Sequence, residues 1–214
     1  MSWASLLRET ARSSGVRPAS GQARGADLTN RAFLEWRRSR RAGDPRAVAE
    51  TQTSDSRAAA PDTLDERLWR ALLDPRADIE LALHECDASA RLEADRGSLL
   101  PQGLYRTIEV WTESELSSLH ALWWLARRDS KPSWEARAMG AVRWHIEHLQ
   151  PDNATNRPWC AHLFVLLALG GVGEAELYAQ TLLHNCRVSQ GVPDPLSAEI
   201  LLDCAEALEE TTSV

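Results

Sequence analysis

From residue 63 onward, apolar residues recur three and four positions apart, which is the spacing of one face of an α-helix. Thr63 and Glu66 have the spacing of a capping box, and Pro75 marks the end of the helix that follows. The same periodicity predicts further helices over 76–95, 112–128, 134–149, 159–169 and 174–188, and from Pro195 onward. Because the connections between them are mostly short, we expect an all-α domain of antiparallel neighbours, either a helical bundle or a stack of α-hairpins.

One segment departs from this pattern. Residues 105–111 read Tyr-Arg-Thr-Ile-Glu-Val-Trp, a β-branched and aromatic content that is typical of a strand, although the chain offers no partner strand. We therefore expect an extended segment here. The predicted helix starts in the second half of the chain are irregularly spaced, so the sequence shows no structural repeat.

The first 61 residues have a different character. Short helices are predicted over 2–12 and 29–41, and the stretches 14–30 and 42–61 are rich in small and polar residues that offer little apolar surface to bury. We expect a basic, Arg-rich and partly disordered arm over residues 1–61, followed by an acidic all-α domain over residues 62–214.

Charge narrows the range of partners. The chain carries 24 Lys and Arg against 31 Asp and Glu, a formal net charge of −7, which argues against a domain that binds nucleic acid as a whole. The basic cluster Arg37, Arg38, Arg40 and Arg41 is the exception, and it suits nucleic acid, an anionic membrane surface or the acidic body of its own chain. Because no nucleic-acid reading module accompanies the cluster, nucleic-acid binding is the less favoured interpretation.

The remaining sequence features suggest a location. None of the four cysteines forms a C-x-x-C pair, so a disulfide framework is not expected. The chain shows no secretory signal pattern, and its longest apolar run, 163–169, falls far short of the roughly 20 residues that cross a bilayer. We expect a cytoplasmic protein without membrane insertion.

The connection 150–157 is the main candidate for a binding site. It is rich in side chains that bond to nearby backbone amides, and it leads into the most apolar helix, whose N-terminus favours an anion. We take Asn153, Asn156, Arg157 and Trp159 as candidate ligand-binding residues. The simpler interpretation is that these residues only form a turn between two helices.

Histidines flank this connection. The candidate catalytic residues are His145, His148, Asp152 and His162, which bear imidazole and carboxylate groups. Their spacing matches no established zinc signature, so neither a metal nor another cofactor is expected. In the simpler interpretation, His145 is a buried core residue. Cys160 is a further candidate, because a thiol in the first turn of a helix often has a lowered pKa.

Nine tryptophans are many for 214 residues. The adjacent Trp123 and Trp124 cannot both face the same side of a helix, so one of them, or Trp144, is a candidate for a partner surface.

These features favour a helical module that binds a protein or peptide partner. The alternative is a hydrolase, assisted by a metal or by acid-base chemistry, whose site lies around the 145–162 histidines and the 150–157 loop. The sequence leaves open whether the protein is an enzyme.

Overall fold

A computed structural model describes residues 1–14, 28–42, 63–74, 83, 97–151, 155–188 and 191–212. This part of the chain is helical and contains no strand, which confirms the predicted all-α class. Its helices are α1 (Trp3–Ser13), α2 (Leu28–Ala42), α3 (Leu64–Leu73), α4 (Ile108–Arg128), α5 (Pro132–His148), α6 (Ala161–Leu169), α7 (Gly173–Asn185) and α8 (Pro195–Thr212), with a short 3-10 helix at Gln102–Leu104.

The helices pack mainly on their neighbours in sequence. Helix α2 packs on α3, α3 on α4 and α4 on α5, while α6 and α7 form a hairpin against α5. Helix α8 then returns across the molecule to contact α1, α2 and α6. The predicted packing of helices into a bundle is thereby confirmed, and α8 is the element that joins its two ends.

Local signals set several helix starts. The Ser2 side chain accepts a hydrogen bond from the Ser5 backbone N–H and caps α1. Asp194 accepts from the backbone N–H groups of Leu196 and Ser197, and Pro195 is the first residue of α8. These two starts confirm what the sequence predicts for them.

The predicted extended segment at 105–111 is wrong from residue 108 onward, because α4 begins at Ile108. Thr107 is its N-cap, and its hydroxyl accepts a hydrogen bond from the Val110 N–H. Thr112, where the sequence predicts the helix to start, lies inside the helix and donates its hydroxyl to the Ile108 carbonyl. The side-chain pattern is typical of a strand. The N-cap at Thr107 and the packing of Trp111 in the core nevertheless favour a helix, because tertiary contacts outweigh local propensity.

Helices α1 and α2 share the core of the later helices, which differs from the expectation of an arm outside the main fold. Leu7 and Phe33 are fully buried. The Phe33 ring lies 4.9 Å from the rings of both Trp69 and Trp159, measured between centroids. Residues 15–27, 43–62 and most of the helix predicted over 76–95 lie outside the described residues.

Candidate functional site

His145, the first of the candidate catalytic residues, is fully buried on α5. Its ring stacks on Trp111, with 5.3 Å between centroids and 10° between planes. Its Nε2 lies 3.7 Å from Glu115 Oε1, and neither ring nitrogen has a hydrogen-bond partner among the described residues. His145 is therefore packed as an aromatic core residue without access to solvent.

Glu115, the nearest charge to His145, has a structural role. Its two carboxylate oxygens accept hydrogen bonds of 2.5 and 2.6 Å from the backbone N–H groups of Leu99 and Leu100. The Trp111 Nε1–H donates to the Leu100 carbonyl at 3.0 Å. Together these bonds hold the segment before the 3-10 helix against α4. They give hydrogen-bond partners to buried backbone groups that lie outside any helix.

His148 lies in a different environment, although it is only three residues from His145. It is exposed and stacks on Trp144, with 4.8 Å between ring centroids and 12° between planes. Its Nδ1 lies 3.0 Å from the Trp144 carbonyl oxygen. The two histidines share a helix, but one faces the core and the other the surface.

The connection at 150–157 is described only in part, because Asp152 and Asn153 lie outside the described residues. Asn156 is exposed and Trp159 is buried. Arg157 is bound to the start of α8, where its guanidinium donates to Asp194 at 2.5 Å and to the Ser197 hydroxyl at 3.3 Å. Its charge is thus paired within the chain, which leaves it less suited to an external anion.

His162 is fully buried on α6, and its contacts are not those of His145. Its ring centroid lies 4.5 Å from that of His120 and 4.7 Å from that of Trp123. Burial and the neighbouring His120 lower the pKa of His162 well below its usual value, so the imidazole is neutral. The described contacts do not bring the predicted histidines together.

The structure instead gathers a set of residues that includes only one of the predicted candidates. One nitrogen each of His120 and His162 and the Sγ of Cys204 all lie within 4.8 Å of one another, and the three side chains are fully buried. His162 Nδ1 lies 3.4 Å from Cys204 Sγ. The three residues come from α4, α6 and α8, and we call them the His120 cluster.

Asp203 lies beside the His120 cluster and is fully buried on α8. One of its oxygens, Oδ2, lies 2.8 Å from His120 Nε2 and accepts the Trp124 Nε1–H at 2.7 Å. The other, Oδ1, accepts from Arg37 at 2.7 Å and from Arg40 at 3.2 Å. Burial raises the pKa of Asp203, but the His120 hydrogen bond and the Arg37 charge outweigh it and the pKa is lowered.

The basic cluster of α2 is directed at this region rather than at solvent. Arg37 is buried and pairs with Asp203 and Glu206, and Arg41 pairs with Glu199 at 2.7 Å. Arg40 also pairs with Glu206 and with Glu210, whereas Arg38 is exposed. Three of the four arginines proposed for nucleic acid are therefore engaged with acidic residues of α8.

Cys160 does not have the environment expected of a nucleophile. It precedes α6 in a left-handed backbone conformation, with φ of 62°, and its N–H donates to His120 Nδ1 at 3.3 Å. Burial, followed by the nearby Cys204, raises the pKa of its thiol well above the usual value. The expected lowering of this pKa is wrong, because the thiol lies in the core.

Sequence reasoning missed His120, Cys204 and Asp203 as members of a site. One signal was present: Asp203 interrupts the apolar stripe formed by Ile200, Leu201, Cys204 and Leu208, and a buried carboxylate requires partners. The partners themselves lie about 80 to 170 positions earlier in the chain, where periodicity carries no information about them.

Exposed or partly exposed apolar side chains occur before and at the start of α4 and on the part of α5 that packs against Trp111. Leu104 is 76% exposed and Val110 is 54% exposed, and Trp144 is partly exposed above the buried Trp111. The centroids of the two Trp rings lie 6.1 Å apart. We call Leu104, Val110, Trp144 and His148 the Trp144 surface. By contrast, both Trp123 and Trp124 are buried.

No protein-family model, no curated protein and no solved structure matches this chain. Among the described residues, no helix combines the length and the apolar character needed to cross a membrane.

Proposed function

We propose that this protein is a helical interaction module that binds a protein or peptide partner through the Trp144 surface. The observation that carries the proposal is the partly exposed Trp144, which packs on Trp111 of α4, while Val110, next to Trp111 in sequence, and Leu104, shortly before α4, are exposed. Exposed Trp is enriched among the residues that dominate the free energy of binding at interfaces.

The ring of Trp144 is held in place before a partner arrives. Its contacts with Trp111 on one side and His148 on the other restrict its rotation. A ring that is already ordered loses less conformational entropy when it is covered, so more of the burial free energy remains for binding.

Charges around this surface are mixed. Arg106 and Arg143 are exposed, as are Glu109 and Glu147. This pattern of an apolar centre with polar residues of both signs at its rim resembles that of protein interfaces. It suits an amphipathic helix or peptide with an apolar anchor better than a polyanion.

The hydrolase alternative has less support. His145 and His162 are both fully buried and have different neighbours, and Arg157 is paired with Asp194. A hydrolytic site needs its acid-base groups within reach of substrate and water.

The proposal is tested with Leu104→Glu and Val110→Glu in the full chain, because both positions are exposed and tolerate a charge. The matched controls are Leu169→Glu and Leu177→Glu, since Leu169 is 64% exposed and Leu177 is 54% exposed on another pair of helices. Each protein is used as bait in quantitative affinity purification from the cells that express it.

We expect the test variants to capture at least about tenfold less of a specific partner than the controls do. A loss of this size is typical of one hot-spot contact. The same partners in all four variants, or no partner together with a strict monomer, would overturn the proposal.

A further inference from the structure

The His120 cluster suggests chemistry that the interaction proposal does not use. We propose that His120, His162 and Cys204 bind a zinc ion in the core, and that this ion links α4, α6 and α8. Two imidazole nitrogens and one thiolate are ligands that zinc prefers, and the mixture of nitrogen and sulfur disfavours calcium and magnesium.

The distances fit one ion. A tetrahedral zinc with usual bond lengths places a nitrogen and a sulfur ligand about 3.5 Å apart. The separation of His162 Nδ1 and Cys204 Sγ is 3.4 Å, and all three candidate ligand atoms lie within 4.8 Å of one another. Because three different helices supply these atoms, sequence spacing does not reveal the site.

The surroundings of His120 are those of a metal ligand. Its Nδ1 accepts the Cys160 N–H, so in the neutral ring Nε2 carries the proton and donates it to Asp203. Metal-binding histidines commonly donate their second ring N–H to a carboxylate, which orients the ring. The Cys160 bond is long, at 3.3 Å, and the ion would take its place at Nδ1.

His162 and Cys204 lack strong partners of their own. His162 Nδ1 meets Cys204 Sγ at 3.4 Å, and the hydrogen bond that the thiol donates to the Pro158 carbonyl is long, at 3.8 Å. Hydrogen bonds to sulfur are weak, so little interaction is lost when an ion replaces them. The two proposed donor atoms are therefore held only weakly by the rest of the fold.

Burial, followed by the charge of Asp203, raises the pKa of the Cys204 thiol, so the sulfur carries its proton when no cation is bound. A bound cation would deprotonate the thiol outright. A zinc ion with one thiolate adds a net charge of +1, and this offsets the excess of one negative charge that Asp203, Glu206 and Glu210 carry over Arg37 and Arg40.

Three protein ligands leave one position of a tetrahedral ion. Either a water molecule or the thiol of Cys160, whose backbone N–H already contacts His120, fills it. The number of thiolates therefore distinguishes the two arrangements, and both are compatible with the proposed three-ligand site.

The first experiment uses the untagged full chain, produced and refolded in the presence of zinc. Elemental analysis is expected to give about one zinc per chain, and replacement by cobalt is expected to give the thiolate-to-cobalt charge-transfer band of a tetrahedral site. Removal of zinc by a chelator in mild denaturant is expected to lower Tm by roughly 10 °C, reversed by added zinc.

Matched variants locate the ion. Cys204→Ser and His162→Gln should retain less than about a tenth of the zinc, because each removes a ligand. Cys186→Ser and His145→Gln should retain it fully, since both replace buried residues outside the cluster. Cys160→Ser retains zinc in either arrangement and shows whether the cobalt band contains one or two thiolates.

Two results would overturn the proposal, and both are obtained with the unmodified chain. One is a folded protein without zinc after refolding with the ion. The other is bound cobalt that gives no thiolate band. Because neither result requires a variant, a Cys204→Ser protein that fails to fold does not obscure the answer.

Discussion

At the scale of single residues, the most demanding feature is the buried ion pair of Arg37 and Asp203. Both side chains lie out of solvent, and their atoms approach to 2.7 Å. Removing two charges from water is unfavourable, and the pair is tolerated because Glu206, His120 and Trp124 supply further hydrogen bonds to it. The pair thus depends on α2, α4 and α8 all being in place.

Loss of one partner should therefore be severe. We expect Arg37→Ala to lower the free energy of unfolding by about 3 kcal/mol, because it leaves a buried carboxylate undercompensated. Urea denaturation followed by Trp fluorescence measures the change. Arg41→Ala serves as the control, since its side chain is 45% exposed, and should cost less than about 1 kcal/mol. Equal losses in both variants would contradict this account.

For single residues, sequence patterns predict which side chains are buried better than they predict which residues those side chains contact. They place His145 on a buried stripe, where the structure also has it, and they single out Trp144, which lies partly at the surface. They do not find His120 or Asp203, because the contacts that define these residues join distant parts of the chain. A helical pattern records which way a side chain faces, and not what it meets there.

At the scale of elements, short-range capping explains where the predictions succeed. Asp194 caps α8, which begins at Pro195 as predicted, and α1 begins within one residue of its predicted start, because such signals require only residues close in sequence. The start of α4 was missed because both Thr107 and Thr112 suit a cap. The burial of Trp111 favours the earlier start, and the sequence does not reveal that burial.

The cap of α8 yields a prediction that depends on pH. Although burial raises the pKa of Asp194, the Ser197 hydrogen bond and the Arg157 charge lower it overall. We expect Asp194→Ala to cost about 1 kcal/mol at pH 7, a value that allows for partial exposure. Glu174→Ala, at an exposed position in the first turn of α7, should cost less.

The sign of the pH effect follows from the lowered pKa. The unfolded carboxyl takes up a proton near its ordinary value of 3.8, before the folded one does. The stabilisation from Asp194 is therefore complete above this value and is lost as the pH falls through the lower folded pKa. The difference in stability between wild type and Asp194→Ala should shrink as the pH falls below 3.8. A difference that grew with acid would contradict this account.

At the scale of the whole molecule, α1 and α2 belong to the core, and this was the least predictable part of the fold. Phe33 is fully buried and contacts Trp69 and Trp159, although the stretches on either side of α2 are rich in small and polar residues. The arginines that indicated a solvated arm are those that bind α8. Composition alone does not distinguish a charged tail from a charged helix with an acidic partner.

The packing of α2 can be measured directly. We expect Phe33→Ala to lower the free energy of unfolding by about 3 to 5 kcal/mol, because it leaves a cavity among aromatic rings. Leu34→Ala, at the next and only partly buried position, should cost about 1 kcal/mol or less. If α2 were an independent arm, both changes would leave the midpoint of the main unfolding transition unchanged.

The closure of the bundle by α8 has a consequence for the order in which the protein is assembled. Arg8 on α1 binds Glu209 on α8, a contact between residues 201 positions apart. During synthesis, α1 therefore emerges from the ribosome long before the surface that covers Leu7 exists. Its apolar face has to stay unaggregated for that interval, so completion of the fold waits for the last helix to be translated.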